Sequence, residues 1–159
     1  MANKIQWDAR PTAATVMAAD AVAPAGLRDA DNAEVLIAAA DVANGTALNT
    51  YADFLLYLHD FDAAPTAGGY FELHIIYEFD TTYGDGEDGD VGGTPRLTGN
   101  TMVGIFPVYA GDEDQYIQLM GVPTRPHDFR CILVNKCGQA IADSDGSFLK
   151  IFPYCDEVQ

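Results

Sequence analysis

Polar and apolar residues alternate along residues 71–79, with Phe71, Leu73, Ile75, Tyr77 and Phe79 on one side and Glu72, His74 and Glu78 on the other. A period of two turns one side of an extended chain toward a core and the other toward solvent, so this segment is predicted to be a half-buried β-strand. Residues 84–95, which follow, are crowded with glycine and acidic side chains. They have almost no apolar surface to bury and are expected to stand in solvent as a long acidic loop.

The same succession of strand pattern and turn recurs along the chain. Residues 34–40 (EVLIAAA), 50–59 (TYADFLLYLH), 100–109 (NTMVGIFPVY), 115–122 (QYIQLMGV), 127–135 (HDFRCILVN), 139–142 and 147–154 (SFLKIFPY) read as strands, separated by Gly, Pro, Asn and Asp. A helix competes over residues 51–58, but aromatic content and short length favour a strand there. Ala52, Phe54, Leu56 and Leu58 share one face of it, and the opposite face, Tyr51, Leu55 and Tyr57, is also apolar. Cover on both sides is therefore expected. Gly104 and Pro107 interrupt the 100–109 strand, which places it at an edge, at a bulge, or makes it end early. Residues 13–19 form a short apolar run without the stripe of a long helix.

About eight strands with turn-rich connections and no convincing helix predict an all-β chain, a single antiparallel β-sandwich, jelly-roll-like, with a closed barrel as the alternative. Residues 1–12 read as a polar N-terminal arm carrying Trp7, and residues 13–159 as one sandwich domain.

Charge changes the picture of partners. Lys and Arg total 8 against 24 Asp and Glu, a formal charge of −16. Such a surface repels phosphate backbones, so nucleic acid is not expected, whereas a basic protein surface or a divalent cation is compatible with it. No apolar run reaches the roughly 18 residues of a membrane span, and residues 1–11 lack the apolar core of a signal peptide. Together with three unpaired-looking cysteines this points to synthesis in a reducing cytoplasm. The sequon Asn44-Gly45-Thr46 then reads as a turn.

Candidate chemistry is sparse. His59, His74 and His127 have no second ligand at zinc spacing, and no nucleophile elbow or phosphate loop occurs. Ser144 and Ser147 flank a turn where hydroxyls bond to backbone. Cys131 and Cys137, six residues apart across a predicted turn, are candidate cross-strand neighbours, although the parity of Cys131 with Phe129 and Leu133 favours a buried apolar thiol. The chain is accordingly read as not an enzyme, with no required cofactor. Calcium is the one ion with a donor set: Asp85, Glu87, Asp88 and Asp90 offer oxygens in one glycine-rich loop, as Asp143 and Asp145 do in another, against the simpler reading of solvated acidic loops.

Six short stretches carry a likeness: PTAGGY at 65–70, DTTYGDG at 80–86, VGIFPVY at 103–109, VPTRP at 122–126, VNKCGQA at 134–140 and LKIFPY at 149–154. Across residues 50–154 the chain resembles a group of small β-sandwich virion proteins of tailed bacteriophages. These are turn and core motifs, and no functional residue is carried over with them. The resemblance implies a non-enzymatic structural protein at the capsid surface of a virion assembled in the bacterial cytoplasm. It would be a decoration, or cement, protein, often trimeric, that binds and stabilises the major capsid protein lattice. A tail or head-fibre component that grips host glycans is the alternative. Trp7 and Tyr83 are the candidate partner-binding aromatics, and deletion of residues 1–10 is expected to lower capsid occupancy.

Overall fold

The computed structural model describes residues 5–7, 13–17, 27, 30–79, 82–83, 97, 101–111, 113–142 and 146–158. Its strands are β1 (Ile5–Trp7), β2 (Ala14–Met17), β3 (Val35–Ile37), β4 (Tyr51–Leu58), β5 (Tyr70–Phe79), β6 (Thr82–Tyr83), β7 (Met102–Pro107), β8 (Gln115–Pro123), β9 (Phe129–Asn135), β10 (Phe148–Tyr154) and β11 (Asp156–Val158). No helix occurs among the described residues.

Eight of these strands form two antiparallel four-stranded sheets, β2-β10-β4-β8 and β3-β9-β5-β7, with the short β6 extending the second at the far end of β5. Ranked along the chain, the eight run first-eighth-third-sixth in one sheet and second-seventh-fourth-fifth in the other. That interleaving is the double Greek key of a jelly roll. The predicted all-β sandwich of about eight strands is the fold observed.

Alternation explains the packing. Ala52, Phe54, Leu56 and Leu58 of β4, with Leu149 and Ile151 of β10, meet Phe71, Leu73 and Ile75 of β5 and Phe129, Cys131 and Leu133 of β9 in one buried core. The predicted strand at 71–79 is the centre of its sheet, paired with β9 along one edge and with β7 along the other. β7 is an edge strand with a register shift opposite β5, and it ends at Pro107, as its glycine and proline require. At Gly104 a Cβ would lie 2.3 Å from a methyl of Leu119, so glycine is what lets β8 close over β7.

Two buried asparagines hold the turns. The Asn44 amide donates to the carbonyls of Asn49 and Arg125 at 2.9 and 2.6 Å, and its oxygen accepts from the Asn49 N–H. This is the predicted turn, with the sequon asparagine folded inward. Asn135 donates to Ala30 and Gln139 carbonyls and accepts from the Cys137 N–H, and the turn closes at Gly138 with φ of 82°.

Several expectations are corrected. Residues 139–142 do not form a strand, because only Ile141 bridges, to Phe61. Cys131 lies opposite Ile75 within β9 while Cys137 lies beyond the end of that strand, so the two are not cross-strand neighbours, and both thiols are free. Within the N-terminal arm, Ile5–Trp7 pairs antiparallel with Asp156–Val158 of the same chain, two strands that were not anticipated.

Candidate functional site

The most distinctive surface is the outward face of the β2-β10-β4-β8 sheet. Because β10, β4 and β8 are in register, their outward residues fall into rows. Phe148, Tyr57 and Tyr116 form the first, Lys150, Leu55 and Gln118 the second. At the opposite end Tyr154 stacks on Tyr51 with ring centroids 5.8 Å apart. Between them Phe152 and Met120 flank a shallow hollow of about 90 Å³ floored by Asp53 and Leu55. The Asp53 carboxylate accepts the Gly121 N–H at 2.8 Å, fixing a bulge in β8 where Gly121 has φ of 67°. Tyr51, Leu55 and Tyr57, for which a second cover was expected, are half-buried: Tyr51 stacks on Tyr154, and Tyr57 packs on Tyr116 and Phe148.

The first row is held rigidly. Tyr57 stacks on Tyr116 at 4.4 Å and packs against Phe148 at 5.1 Å. The Tyr57 hydroxyl donates to Asp114 Oδ2 at 2.8 Å, and His59 Nδ1 lies 2.9 Å from Asp114 Oδ1. These contacts favour the ionised carboxylate and pull the Asp114 pKa below its ordinary value. The same hydrogen bond, with desolvation and the nearby negative charge, pushes the Tyr57 phenol up to about 12. Behind the cluster, buried Gln115 makes three hydrogen bonds to the backbone of Tyr109 and Gly111, locking the turn into β8. The result is an open pocket of about 300 Å³ lined by Tyr109, Gly111, Glu113, Asp114, Gln115 and Tyr116. Tyr109 and Tyr116 are 77% and 67% exposed.

Residues singled out from sequence fare differently. Trp7 lies on β1 opposite Asp156, and Tyr83 lies on β6 opposite Glu78. Asp85, Glu87, Asp88, Asp90, Asp143 and Asp145, the candidate calcium ligands, lie outside the described residues, as does Ser144. Among the described residues no three His, Cys, Asp or Glu side chains converge as metal ligands. Ser147 is buried and its Oγ accepts the His59 N–H at 3.0 Å, the backbone role predicted for it. Cys131 is fully buried in the core and its pKa is pushed up to about 12 by that burial, which makes it inert. The Cys137 thiol donates to the Gln139 carbonyl at 3.1 Å. The histidines are dispersed: His59 on Asp114, His74 on Thr101, and His127 against Phe79.

Tyr109, Asp114 and Tyr116 were not selected from sequence. The signal available was the outward parity of Tyr116, Gln118 and Met120 together with the apolar second face of β4. Only the register that aligns β8 with β4 turns these into one surface.

The fold defines the chain as a jelly-roll β-sandwich. Comparisons with protein-family models, curated proteins and solved structures found no match.

Proposed function

We propose that this protein is a non-enzymatic structural component of a phage virion, a decoration protein that docks on the major capsid protein lattice through the outward face of β10, β4 and β8. The observation that carries the docking is the outward face itself, where Tyr116 and Met120 are 67% and 62% exposed beside the half-buried rings of Tyr57 and Phe152. The phage context comes from the sequence resemblance.

Aromatic residues at the centre of an interface supply a large share of its energy. Many copies, each oligomeric, binding only the assembled shell would stabilise that shell by mass action, and multivalency would make modest contacts sufficient. The test mixes purified protein with capsids assembled without it and measures occupancy by co-sedimentation and cryo-EM. Met120→Glu, which puts a charge on the face at a side chain 62% exposed, is expected to weaken occupancy at least roughly tenfold, about 1.4 kcal/mol, without lowering the melting temperature. Unchanged occupancy sinks the face as the docking surface. Deletion of residues 1–10 is a weaker discriminator, because it also removes the strand that pairs with β11.

The second reading, a tail or head-fibre component that grips host glycans, is favoured by the exposed rings of Tyr109 and Tyr116 beside carboxylates. Density at the tail or on fibres in a map of the intact particle would replace the capsid reading with this one.

A further inference from the structure

We propose that the pocket at the Tyr116 end of the aromatic row takes a guanidinium group, the side chain of an arginine on a protein partner. This rests on the docking reading of the same face and names the chemistry of what it grips.

The row already carries a cation at its other end. Lys150 Nζ lies 4.3 Å from the centroid of Phe148, which packs on Tyr57, which stacks on Tyr116. The ring of Tyr116 has Tyr57 on one side and remains 67% exposed. Elsewhere in the fold Arg125 sits over Tyr77 at 5.6 Å, so a guanidinium over a tyrosine face is a contact this protein already makes.

Beside that free ring the carboxylate of Asp114 is fixed in position. A carboxylate has about four lone-pair sites. The Tyr57 hydroxyl and His59 occupy one on each oxygen, leaving one on each for a bidentate donor. The depressed pKa of Asp114 keeps it charged. Glu113 is exposed and lines the same mouth, supplying a second carboxylate. A planar, weakly hydrated fork that stacks on an aromatic face while pairing with a carboxylate is what guanidinium offers and ammonium does not. Hydrogen bonds from Gln115 hold the backbone of Tyr109 and Gly111 in place before anything binds, and a net charge of −16 steers cations toward the surface.

The experiment titrates acetyl-arginine amide into the full chain and follows backbone amide shifts by NMR, with acetyl-lysine amide and maltohexaose in parallel. Shifts localised to residues 109–116 are expected, with weaker binding of the lysine amide and none of the sugar. Tyr116→Ala, Asp114→Asn and Glu113→Gln should each weaken binding roughly two- to fivefold, and Glu78→Gln, an acid at the far end of β5 on the other sheet, should leave it unchanged. Equal loss in Glu78→Gln would reduce the effect to diffuse attraction by net charge and overturn the proposal, as would no localised shift or sugar binding in place of arginine. Localised arginine binding by a protein that ignores capsids would leave the pocket standing and remove the capsid reading. Capsid binding that survives all three pocket substitutions, without arginine binding, would remove the pocket alone.

Discussion

The two outward faces of the sandwich solve the same problem in opposite ways. On the β3-β9-β5-β7 sheet, Ile37, Ile132 and Ile76 form a small apolar strip that the chain roofs itself, with Leu97 and Val35 packed against it. Polar residues frame the strip: Glu72, His74 and Glu78 on β5, and Arg130, whose Nε donates to Asp41 at 2.7 Å. Among the described residues of this sheet Met102 and Ile105, near the edge, and Phe79, at the end of β5, remain about half exposed. On the β2-β10-β4-β8 sheet the outward rows mix aromatic rings with Lys150, Leu55 and Gln118, and Tyr116 and Met120 stay 67% and 62% exposed. Apolar surface covered by the protein's own chain contributes to folding. Surface of the same kind left open contributes when a partner removes it from water.

That difference has a direct energetic consequence. Ile132 is 1% exposed, and Ile132→Ala should cost about 2–5 kcal/mol. In a protein of this size this lowers the melting temperature by roughly 5–20 °C. Leu55→Ala, on the open face, should cost less than about 1 kcal/mol, since a half-buried side chain leaves water already in place to fill the gap. Thermal melts of the two variants compare the faces directly. Equal losses would mean that the open face is as well packed in the free protein as the roofed one, and the comparison would fail.

The sequence made the layers readable because the inner faces obey a strict period of two, and the core residues of β4, β5 and β9 follow it. It failed where the governing quantity is non-local. Whether Tyr51, Leu55 and Tyr57 are covered depends on what lies over β4, and an apolar second face is compatible with burial or with display. The pairing of Ile5–Trp7 with Asp156–Val158 joins the two ends of the described chain, a separation at which local pattern carries no information. The pocket was hidden for a related reason: Tyr57, His59 and Asp114 meet only because β4 and β8 are neighbours in the sheet. Conversely, the acidic run at 84–95 was the most conspicuous stretch in the sequence and lies outside the described residues.

The roofed face should also respond to acid in a way the open face does not. His74 is buried there, its Nδ1 3.0 Å from the Thr101 hydroxyl and its Nε2 3.5 Å from Glu72. Burial lowers its pKa from the ordinary 6.5, with Glu72 acting in the opposite sense. A histidine with a depressed folded pKa leaves the unfolded chain binding the extra proton first. Stability associated with it is therefore complete above about 6.5 and falls as the pH drops below that value toward the folded pKa. Melts recorded from about pH 7.5 down to about pH 5 should show a declining melting temperature that is shallower in His74→Gln. An identical slope in that variant would assign the acid sensitivity to other groups.

The smallest expected effect is on the open face and is spectroscopic. Tyr57 is held protonated by its hydrogen bond to Asp114 and ionises only near 12, whereas an ordinary tyrosine does so near 10. A raised folded pKa means that this contact is intact below the ordinary value and is lost as the pH climbs through about 12. Absorbance titration of the phenolate band should therefore show Tyr57 lagging the exposed tyrosines, beside Tyr77, whose pKa burial also raises, and Asp114→Asn should return Tyr57 toward the ordinary value with little change in stability near neutral pH. Because Tyr57 lies under Tyr116 in the same stack, occupation of the pocket by acetyl-arginine amide would perturb that tyrosine while leaving those at the far end of the face, Tyr51 and Tyr154, as they were. A Tyr57 that titrates with the rest would mean that the row is loose in solution, and the open face would then be a soft apolar surface and not the pre-arranged one its hydrogen bonds describe.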